Sequence, residues 1–423
     1  MSPNVEYLGS IKQDIGVTAG AKVVGNRLFV TSGKNISIYD ISNPASPQAL
    51  GQLHTNVAWE NEEVPTNGRV LAVASDFYSV VPECVAALSP DGCVQFFDVR
   101  DPAHIKQIGT VPIPNHTAEC ALDCRFFYGK AGTIIDARGI LDGTPPKVIG
   151  NWHDELADQG VNEQSCHHIR EISPGVLLTA CRPFAVISIR AKDGGSPAHP
   201  QVLYTGEAAK FVHSARWPRS GRDKFVLIGG EKNFTARCEL NDSEFSVYSA
   251  EKVLQGRSTK FEGPVDQVGP AGNGVYADGK PVAGALGCSV HWFQEHSTFK
   301  NGGLVAISEY EDGVRFLQIK RDGSIVEQGY FLSLGSSSSS PKWAGKGNVL
   351  YSIDYQRGID ILRWKGEHYV PGTKERGRVK GTNGETPPPR PTPAQAKRRV
   401  RLAAKLRATG WSPWLCSAAG RRN

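Results

Sequence analysis

Four histidines recur at similar positions of a repeated strand pattern, and their side chains could do chemistry together. They are His116, His168, His213 and His291, each on a short predicted strand a similar distance before the next one. Imidazoles held on separate rigid strands can bind a transition metal without rearrangement. The pattern therefore predicts a metal site for copper, iron, manganese or zinc. His167 is the alternative to His168, because a register shift of one residue reverses the direction of every side chain.

Carboxylates accompany these histidines at a regular distance. Glu231 follows His213 by 18 positions (231 − 213), and Glu309 follows His291 by 18 positions (309 − 291). Glu60, with Glu62 two residues later, lies on a predicted inner strand of its own. Carboxylates in such places can orient metal-bound imidazoles or act as general bases. We therefore predict Glu231, Glu309 and Glu60 as catalytic residues.

Other interpretations of these residues stay open. Polar side chains, histidines included, can line a water-filled channel without binding a metal. Cys166, Cys181 and Cys288 stand close to the histidines and could be thiolate ligands, although a disulfide or simple burial explains them equally well. The chain contains no C-x-x-C pair, no G-x-S-x-G elbow and no phosphate-binding glycine loop.

The elements that would position these residues form a repeat. Short strands with alternating apolar residues, separated by turns, recur in units of about 40–50 residues, as in propeller blades. The seven copies cover residues 22–53, 69–111, 132–152, 176–204, 225–248, 304–331 and 349–364. The seventh copy lacks a closing strand, whereas residues 4–11 look like a closing strand without a blade. We therefore predict an all-β, seven-bladed β-propeller closed by the N-terminal strand, which also hides two sheet edges.

Two of the copies carry a more specific motif. Residues 35–47 (NISIYDISNPASP) and 93–102 (CVQFFDVRDP) join an apolar strand with a late Asp to an Asp/Asn-Pro turn. These segments resemble LVIVD-type repeats, and the similarity extends loosely over residues 1–365. The resemblance implies a β-propeller, often extracytoplasmic, whose biochemical activity is poorly defined.

The organisation of the chain follows from the repeat. We predict a propeller over residues 1–370, with a Gly/Pro-rich insertion loop at 252–284, and a basic tail over 371–423. The tail holds 13 Lys and Arg against two Glu, a surplus of +11. The net charge of +6 therefore leaves about −5 for the body (+6 − 11), which argues against a nucleic-acid-binding core. The tail is expected to be disordered or partly helical, and as a basic amphipathic segment it fits an anionic membrane surface.

The composition predicts a soluble monomer. With 39% hydrophobic and 21% charged residues the chain can build a large core, and no apolar run approaches membrane-spanning length. No secretory signal is visible, so we expect a cytoplasmic location, or an extracytoplasmic one if a leader has been removed.

Two main functions fit these features, beside a third, a metal-free hydrolase or lyase that uses Glu231, Glu309 and His213 as acid and base. The first is a metal-dependent propeller enzyme, of the oxidoreductase or lyase type, that acts on a small molecule at a His-lined central site. The second is a non-catalytic interaction scaffold, tethered by its tail to a protein partner or a membrane surface.

Overall fold

Short strands with alternating apolar side chains pair into seven antiparallel sheets. The structure, a computed structural model, describes residues 1–12, 18–33, 35–54, 62–75, 92–231, 243–270, 288–333 and 336–366. Glu60 and the tail from residue 371 lie outside the described residues. The sheets form a seven-bladed β-propeller, as predicted from the repeat.

Each blade runs from an inner to an outer strand. The strands of the first four blades are β2 to β5 (Thr18–Val24, Arg27–Ser32, Asn35–Asp40, Gln48–His54), β6 to β8 (Val70–Ala74, Val94–Asp98, Lys106–Val111), β9 to β12 (Ala118–Ala121, Phe126–Gly129, Thr133–Asp136, Lys147–Asn151) and β13 to β16 (Gln164–Ser173, Val176–Arg182, Phe184–Ser188, Gln201–Gly206). Those of the last three are β17 to β20 (Val212–Arg216, Phe225–Gly230, Phe245–Ser249, Glu262–Val268), β21 to β24 (Phe293–Glu295, Gly303–Ser308, Val314–Ile319, Ile325–Phe331) and β25 to β27 with β1 (Ser338–Trp343, Val349–Asp354, Gly358–Trp364, Val5–Ile11).

The N-terminal strand closes the seventh blade. β1 pairs antiparallel with β27, from Val5 opposite Trp364 to Ile11 opposite Ile359. The side chain of Asn4 also donates hydrogen bonds to the carbonyls of Gln328 and Gly366. The pairing covers one edge of β1 and one edge of β27, which are the two sheet edges that closure was predicted to hide.

The fifth blade corrects the predicted insertion loop at 252–284. Residues Glu251–Leu254 form a short helix, and Glu262–Val268 form β20, the outer strand of this blade. The prediction missed β20 because Gly263 and Pro264 interrupt its alternation. Residues 271–287 lie outside the described residues.

The apolar core is divided between the blades. Seven hydrophobic clusters, among the described residues, each join two neighbouring sheets, so that Phe29 of the first blade meets Phe97 of the second and Phe245 of the fifth meets Phe293 of the sixth. Burial between blades provides the hydrophobic stabilisation. The residues that face the central axis are therefore free to be polar.

Helices are few and short. The described residues include α1 (Trp152–Asp158), α2 (Pro218–Gly221), α3 (Glu251–Leu254) and single 3₁₀ turns at Pro102–His104, Ile140–Asp142 and Ala191–Asp193. None of these helices has the length and apolar character that crossing a membrane requires.

Candidate axial metal site

A β-bulge at the start of the inner strands sets the direction of the axial side chains. In the fifth blade Val212 is opposite Gly230 and Ser214 is opposite Gly229, which leaves His213 as the extra residue. Ala19 in β2 and Ser339 in β25 are extra residues in the same way. In the sixth blade His291 and Trp292 both hydrogen-bond to Ser308. Bulges of this kind re-aim a side chain, here towards the axis.

The fourth blade has the largest bulge. Ser165, Cys166 and His167 together oppose only Cys181, since Gln164 pairs with Arg182 and His168 with Ala180. Ser165 has a φ of 55°, in the left-handed region. The Cys166–Cys181 disulfide ties the bulge to β14 immediately beside His167.

His116 in the third blade is placed by a close contact with the neighbouring turn. Asn115 accepts a hydrogen bond from the backbone N–H of Ala131 through its Oδ1 atom. A Cβ atom at Gly129 would lie 2.0 Å from that oxygen. Only glycine at position 129 lets the segment that carries His116 fold this closely over the turn.

Four imidazoles and one carboxylate meet on the axis. We call this set the axial cluster, and its members are His116, His167, His213, His291 and Glu62. Neighbouring imidazole centroids are 5.0 Å apart for His116 and His167, 3.7 Å for His167 and His213, and 4.2 Å for His213 and His291. All five residues are at most 3% exposed.

Glu62 lies at the centre of the cluster. Its carboxylate oxygens are 3.0 Å from His291 Nε2, 3.3 Å from His213 Nε2 and 3.8 Å from His167 Nε2. Trp292 Nε1 donates a hydrogen bond to it over 2.9 Å, and the Tyr355 hydroxyl donates another. The cluster contains two groups of three potential ligands. One is Glu62 with His213 and His291, and the other is Glu62 with His116 and His167. Within each group, the potential ligand atoms all lie within 4.8 Å of one another.

A backbone hydrogen bond fixes the tautomer of His291. Its Nδ1 atom lies 2.7 Å from the carbonyl oxygen of Ser339 in the next blade. A carbonyl oxygen can only accept, so Nδ1 must carry a proton, and in the neutral ring Nε2 presents its lone pair to the axis. At 3.0 Å from a Glu62 oxygen, that lone pair needs either a proton or a cation between the two atoms.

The charges of this pair agree with that requirement. Burial disfavours the charged form of His291, but the Glu62 carboxylate outweighs it and raises the pKa of His291. Burial also opposes ionisation of Glu62, yet His291 and His213 hold the pKa of this carboxyl well below its usual range. Without a metal, the pair is therefore an imidazolium and a carboxylate.

The imidazoles of His167 and His213 are neutral. Burial, helped by His213, lowers the pKa of His167 well below its usual range. Burial, helped by His291, lowers the pKa of His213 to about 3. Both ring nitrogens of His167 and His213 are buried, and none makes a geometrically acceptable hydrogen bond within the described part of the chain. Native proteins seldom leave buried polar atoms in this condition.

Glu231 borders the cluster. Its carboxylate oxygens are 3.9 Å from the Nε2 atoms of His213 and His291, and the Tyr310 hydroxyl donates a hydrogen bond to it. Burial raises the pKa of Glu231 to about 7. Tyr310 also packs on His291, with ring centroids 4.4 Å apart.

The structure brings together His116, His213, His291 and Glu231 of the predicted site, but not His168. The imidazole of His168 faces Glu119 at 3.8 Å and packs on Trp292 at 4.8 Å, because the bulge turns His167 to the cluster instead. Glu309 is also placed elsewhere. Its Oε1 atom accepts a hydrogen bond from Arg315 over 2.8 Å.

Sequence reasoning missed the role of Glu62 and of its donors Trp292 and Tyr355. Their signal was weak, because Glu62 lies two residues from Glu60 on the same predicted strand and nothing in the sequence separates them. The six cysteines that the structure describes form disulfides: Cys120 pairs with Cys124, Cys166 pairs with Cys181, and Cys93 and Cys288 are disulfide-bonded too. Cys166, Cys181 and Cys288 are therefore not thiolate ligands.

Comparison with known proteins shows the fold alone. No protein-family profile and no curated protein matches the sequence. Among solved structures, the β-propeller domain of Myceliophteria thermophila Cps50 (Swd1) aligns with a TM-score of 0.54 at 14% identity, over 85% of this chain and 99% of that one. The resemblance to LVIVD-type repeats stays a prediction. The chain is a β-propeller of the same general architecture as that domain.

Proposed function

We propose that the protein is a metal-dependent β-propeller enzyme whose axial cluster binds a transition metal ion. In this proposal, the ion acts on a small molecule at the axis, in chemistry of the oxidoreductase or lyase type. The observation that carries the proposal is the position of His291 Nε2, which is held towards the Glu62 carboxylate by the hydrogen bond at Nδ1. Metal-binding histidines typically have their second nitrogen fixed in this way.

The donor atoms suit a borderline metal. Imidazole nitrogens with one carboxylate favour copper, iron, manganese or zinc over calcium or magnesium. Two metal–ligand bonds of roughly 2 Å span about 4 Å, so ligand atoms within 4.8 Å need only a small inward movement. A divalent ion would replace the proton on His291 Nε2 and would also engage the nitrogens of His167 and His213.

Glu231 fits the role of a general base or a positioning residue. It is close enough to His213 and His291 to stand beside a bound ion, and the Tyr310 hydroxyl orients its carboxylate. A carboxyl group with a pKa near neutrality can take up and release a proton at physiological pH.

The test is elemental analysis of the purified full-length protein after exposure to each of the four metals. We expect close to one ion per chain in the wild type and a loss of at least tenfold in affinity in the double variant His213→Ala and His291→Ala. The matched control is His104→Ala with His199→Ala, since these exposed histidines also face carboxylates, Asp101 and Glu155. No bound metal in the wild type, or equal binding in both double variants, would refute the proposal.

The second candidate is a non-catalytic interaction scaffold, which the fold itself supports. Propellers serve many unrelated functions, and a fold does not select one of them. The basic tail would then tether the propeller to a partner or an anionic membrane. Cosedimentation of the full chain and of a chain ending at residue 371 with phosphatidylserine vesicles tests this role. Equal recovery of both chains removes the membrane tether.

A further inference from the structure

A second set of polar residues follows the axial positions at a constant distance. Each inner strand whose register is described carries a charged or amide side chain three residues after its axial position, which is a bulge residue in every case except His116. These residues form what we call the polar belt: Lys22, Glu119, Arg170, Arg216, Gln294 and Lys342, three residues after Ala19, His116, His167, His213, His291 and Ser339 respectively.

The geometry of the strand explains the interval. Side chains alternate along a regular strand, but the extra residue of a bulge shifts this alternation by one. A bulge residue and the third residue after it therefore face the same side. Three residues of strand are roughly 10 Å long, so the belt encircles the axis about one layer from the axial cluster.

Contacts between distant blades confirm that the belt faces the axis. Lys22 of the first blade lies 3.3 Å from Glu119 of the third. Arg170 of the fourth blade and Lys342 of the seventh both contact the same oxygen of Glu63. Blades this far apart in the ring can exchange side-chain contacts only across the axis.

The belt carries surplus positive charge. In the ion pairs of the described residues its four cations, Lys22, Arg170, Arg216 and Lys342, contact three carboxylates, Glu63, Glu119 and Glu295, so the paired groups sum to +4 − 3 = +1. Glu171 interacts electrostatically with Lys22 and Glu119 but belongs to none of these pairs. Burial, together with Arg170 and Arg216, lowers the pKa of Lys342 to about 8 even though Glu63 raises it. An uncompensated buried charge is costly, and a bound anion would remove that cost.

The guanidinium of Arg170 has unsatisfied donors, although its Nη2 atom lies 2.9 Å from Glu63. The Nε atom of Arg170 is buried and makes no hydrogen bond within the described residues. The side chains of Lys22, Arg170 and Arg216 are 28%, 14% and 15% exposed, so this layer is still reached by solvent. Arginine offers a planar set of donors that matches the two oxygens of a carboxylate.

We propose that the polar belt binds the carboxylate of a small organic acid. A surplus of one positive charge matches a monoanionic carboxylate better than a dianionic phosphate. That this acid is the substrate acted on at the axial cluster rests on the proposed function. That the belt binds a carboxylate does not, because its residues are separate from the proposed metal ligands.

The experiment is calorimetric titration of the metal-free, full-length protein at fixed ionic strength in a low-chloride buffer. The probes are acetate and benzoate, with acetamide and benzamide as neutral molecules of the same shape. We expect at least one carboxylate to bind and neither amide to bind. Binding of neither carboxylate, or equal binding of an acid and its amide, overturns the proposal.

Variants place the binding at the belt. Arg216→Gln and Lys342→Gln should each raise the dissociation constant tenfold or more, since each removes a charge-assisted contact. Arg138→Gln is the matched control, because Arg138 is also paired with a carboxylate, that of Asp136, but on the surface. If Arg216→Gln does not fold, Arg216→Lys replaces it in the titration, because this variant keeps the positive charge but lacks the planar set of donors. An equal loss of carboxylate affinity in Arg138→Gln overturns the assignment. If the double variant His213→Ala and His291→Ala still binds the carboxylate, the belt binds it independently of the metal site, so this result can be distinguished from that of the metal test.

Discussion

Glu231 and Glu309 stand at the same distance after a histidine, yet they belong to regions of opposite character. Glu231 borders the axial cluster, where both ring nitrogens of His167 and of His213 lack hydrogen-bond partners among the described residues. Glu309 belongs to what we call the Arg315 network, which also contains Asp312 and Glu327. Both carboxyl groups are buried, and burial raises their pKa values, to about 7 for Glu231 and about 8 for Glu309.

The Arg315 network is saturated with fixed partners. The guanidinium of Arg315 is fully buried, donates to Glu309 over 2.8 Å and to Glu327 over 3.2 Å, and also reaches the carbonyl of Gly269. The guanidinium of Arg315, a permanent cation, therefore holds the side chains of Glu309 and Glu327 in place. The network stabilises the sixth blade.

The axial cluster differs because its side chains point towards one another at the axis, whereas those of the Arg315 network point towards a permanent cation. Equal sequence spacing and equal burial thus do not indicate equal function. The presence or absence of a fixed cation decides whether a buried carboxylate is structural or available to a ligand.

The largest effect should come from Arg315→Met. It removes the buried cation that contacts both Glu309 and Glu327, and losing one partner of a buried ion pair costs about 3–5 kcal/mol of unfolding free energy. In the metal-free protein, His213→Ala should cost less than half as much, because the nitrogens it removes are unsatisfied. Urea unfolding measures both variants. Equal losses would erase the distinction between the two regions.

The next effect concerns pH and Glu231. Because its pKa is raised from 4.5 to about 7, the folded state holds a proton that the unfolded state has released between these values. Unfolding free energy therefore falls as pH rises through this window, by about 3 kcal/mol at most. Glu231→Gln should abolish this part of the decline in the metal-free protein. Glu262→Gln, in an exposed ion pair with Lys252, should leave the decline unchanged, and a decline that persists in Glu231→Gln contradicts the assignment.

Metal addition should separate the regions again. At a hundredfold excess over the dissociation constant, a bound ion adds about 2.7 kcal/mol to the stability of the folded state. We expect this gain in thermal unfolding of the wild type and of Arg315→Met, and none in the variant lacking His213 and His291. A gain that survives in the latter variant would locate the ion elsewhere.

The smallest effect should follow from Trp292→Phe. This change removes the hydrogen bond that Trp292 Nε1 donates to Glu62, and loss of such a supporting contact lowers metal affinity about tenfold. Tyr351→Phe, which removes a hydrogen bond to the Pro44 carbonyl far from the cluster, should not alter affinity. Competition with a metal indicator measures both, and equal affinities would leave Trp292 without a role at the site.

The fold was largely predictable, because it depends on local patterns. The apolar strand in residues 35–47 and the closing strand at residues 4–11 each indicate a propeller, and both strands are found paired in their blades. β20 escaped prediction since its glycine and proline obscure the alternation.

The site was predictable only in part. His116, His213 and His291 follow from the repeat, whereas the choice between His167 and His168 depends on a bulge of three residues that composition does not reveal. Arg170 follows His167 by three residues, as Arg216 follows His213. This shared interval is a usable sequence signal, because it aligns His167 with His213. The partnership of Glu62 with Trp292 crosses the axis, and no local pattern encodes it.

The pairing of β1 with β27 also constrains how the molecule assembles. The strand that precedes the first blade must wait for the last strand of the seventh before it finds a partner. Until then the circle of blades stays open, and side chains contributed by the second, third, fourth, fifth and sixth blades have no fixed separation. We therefore expect the axial site to mature in a single late step, and fragments that lack either end of the propeller to be unable to acquire it piecemeal.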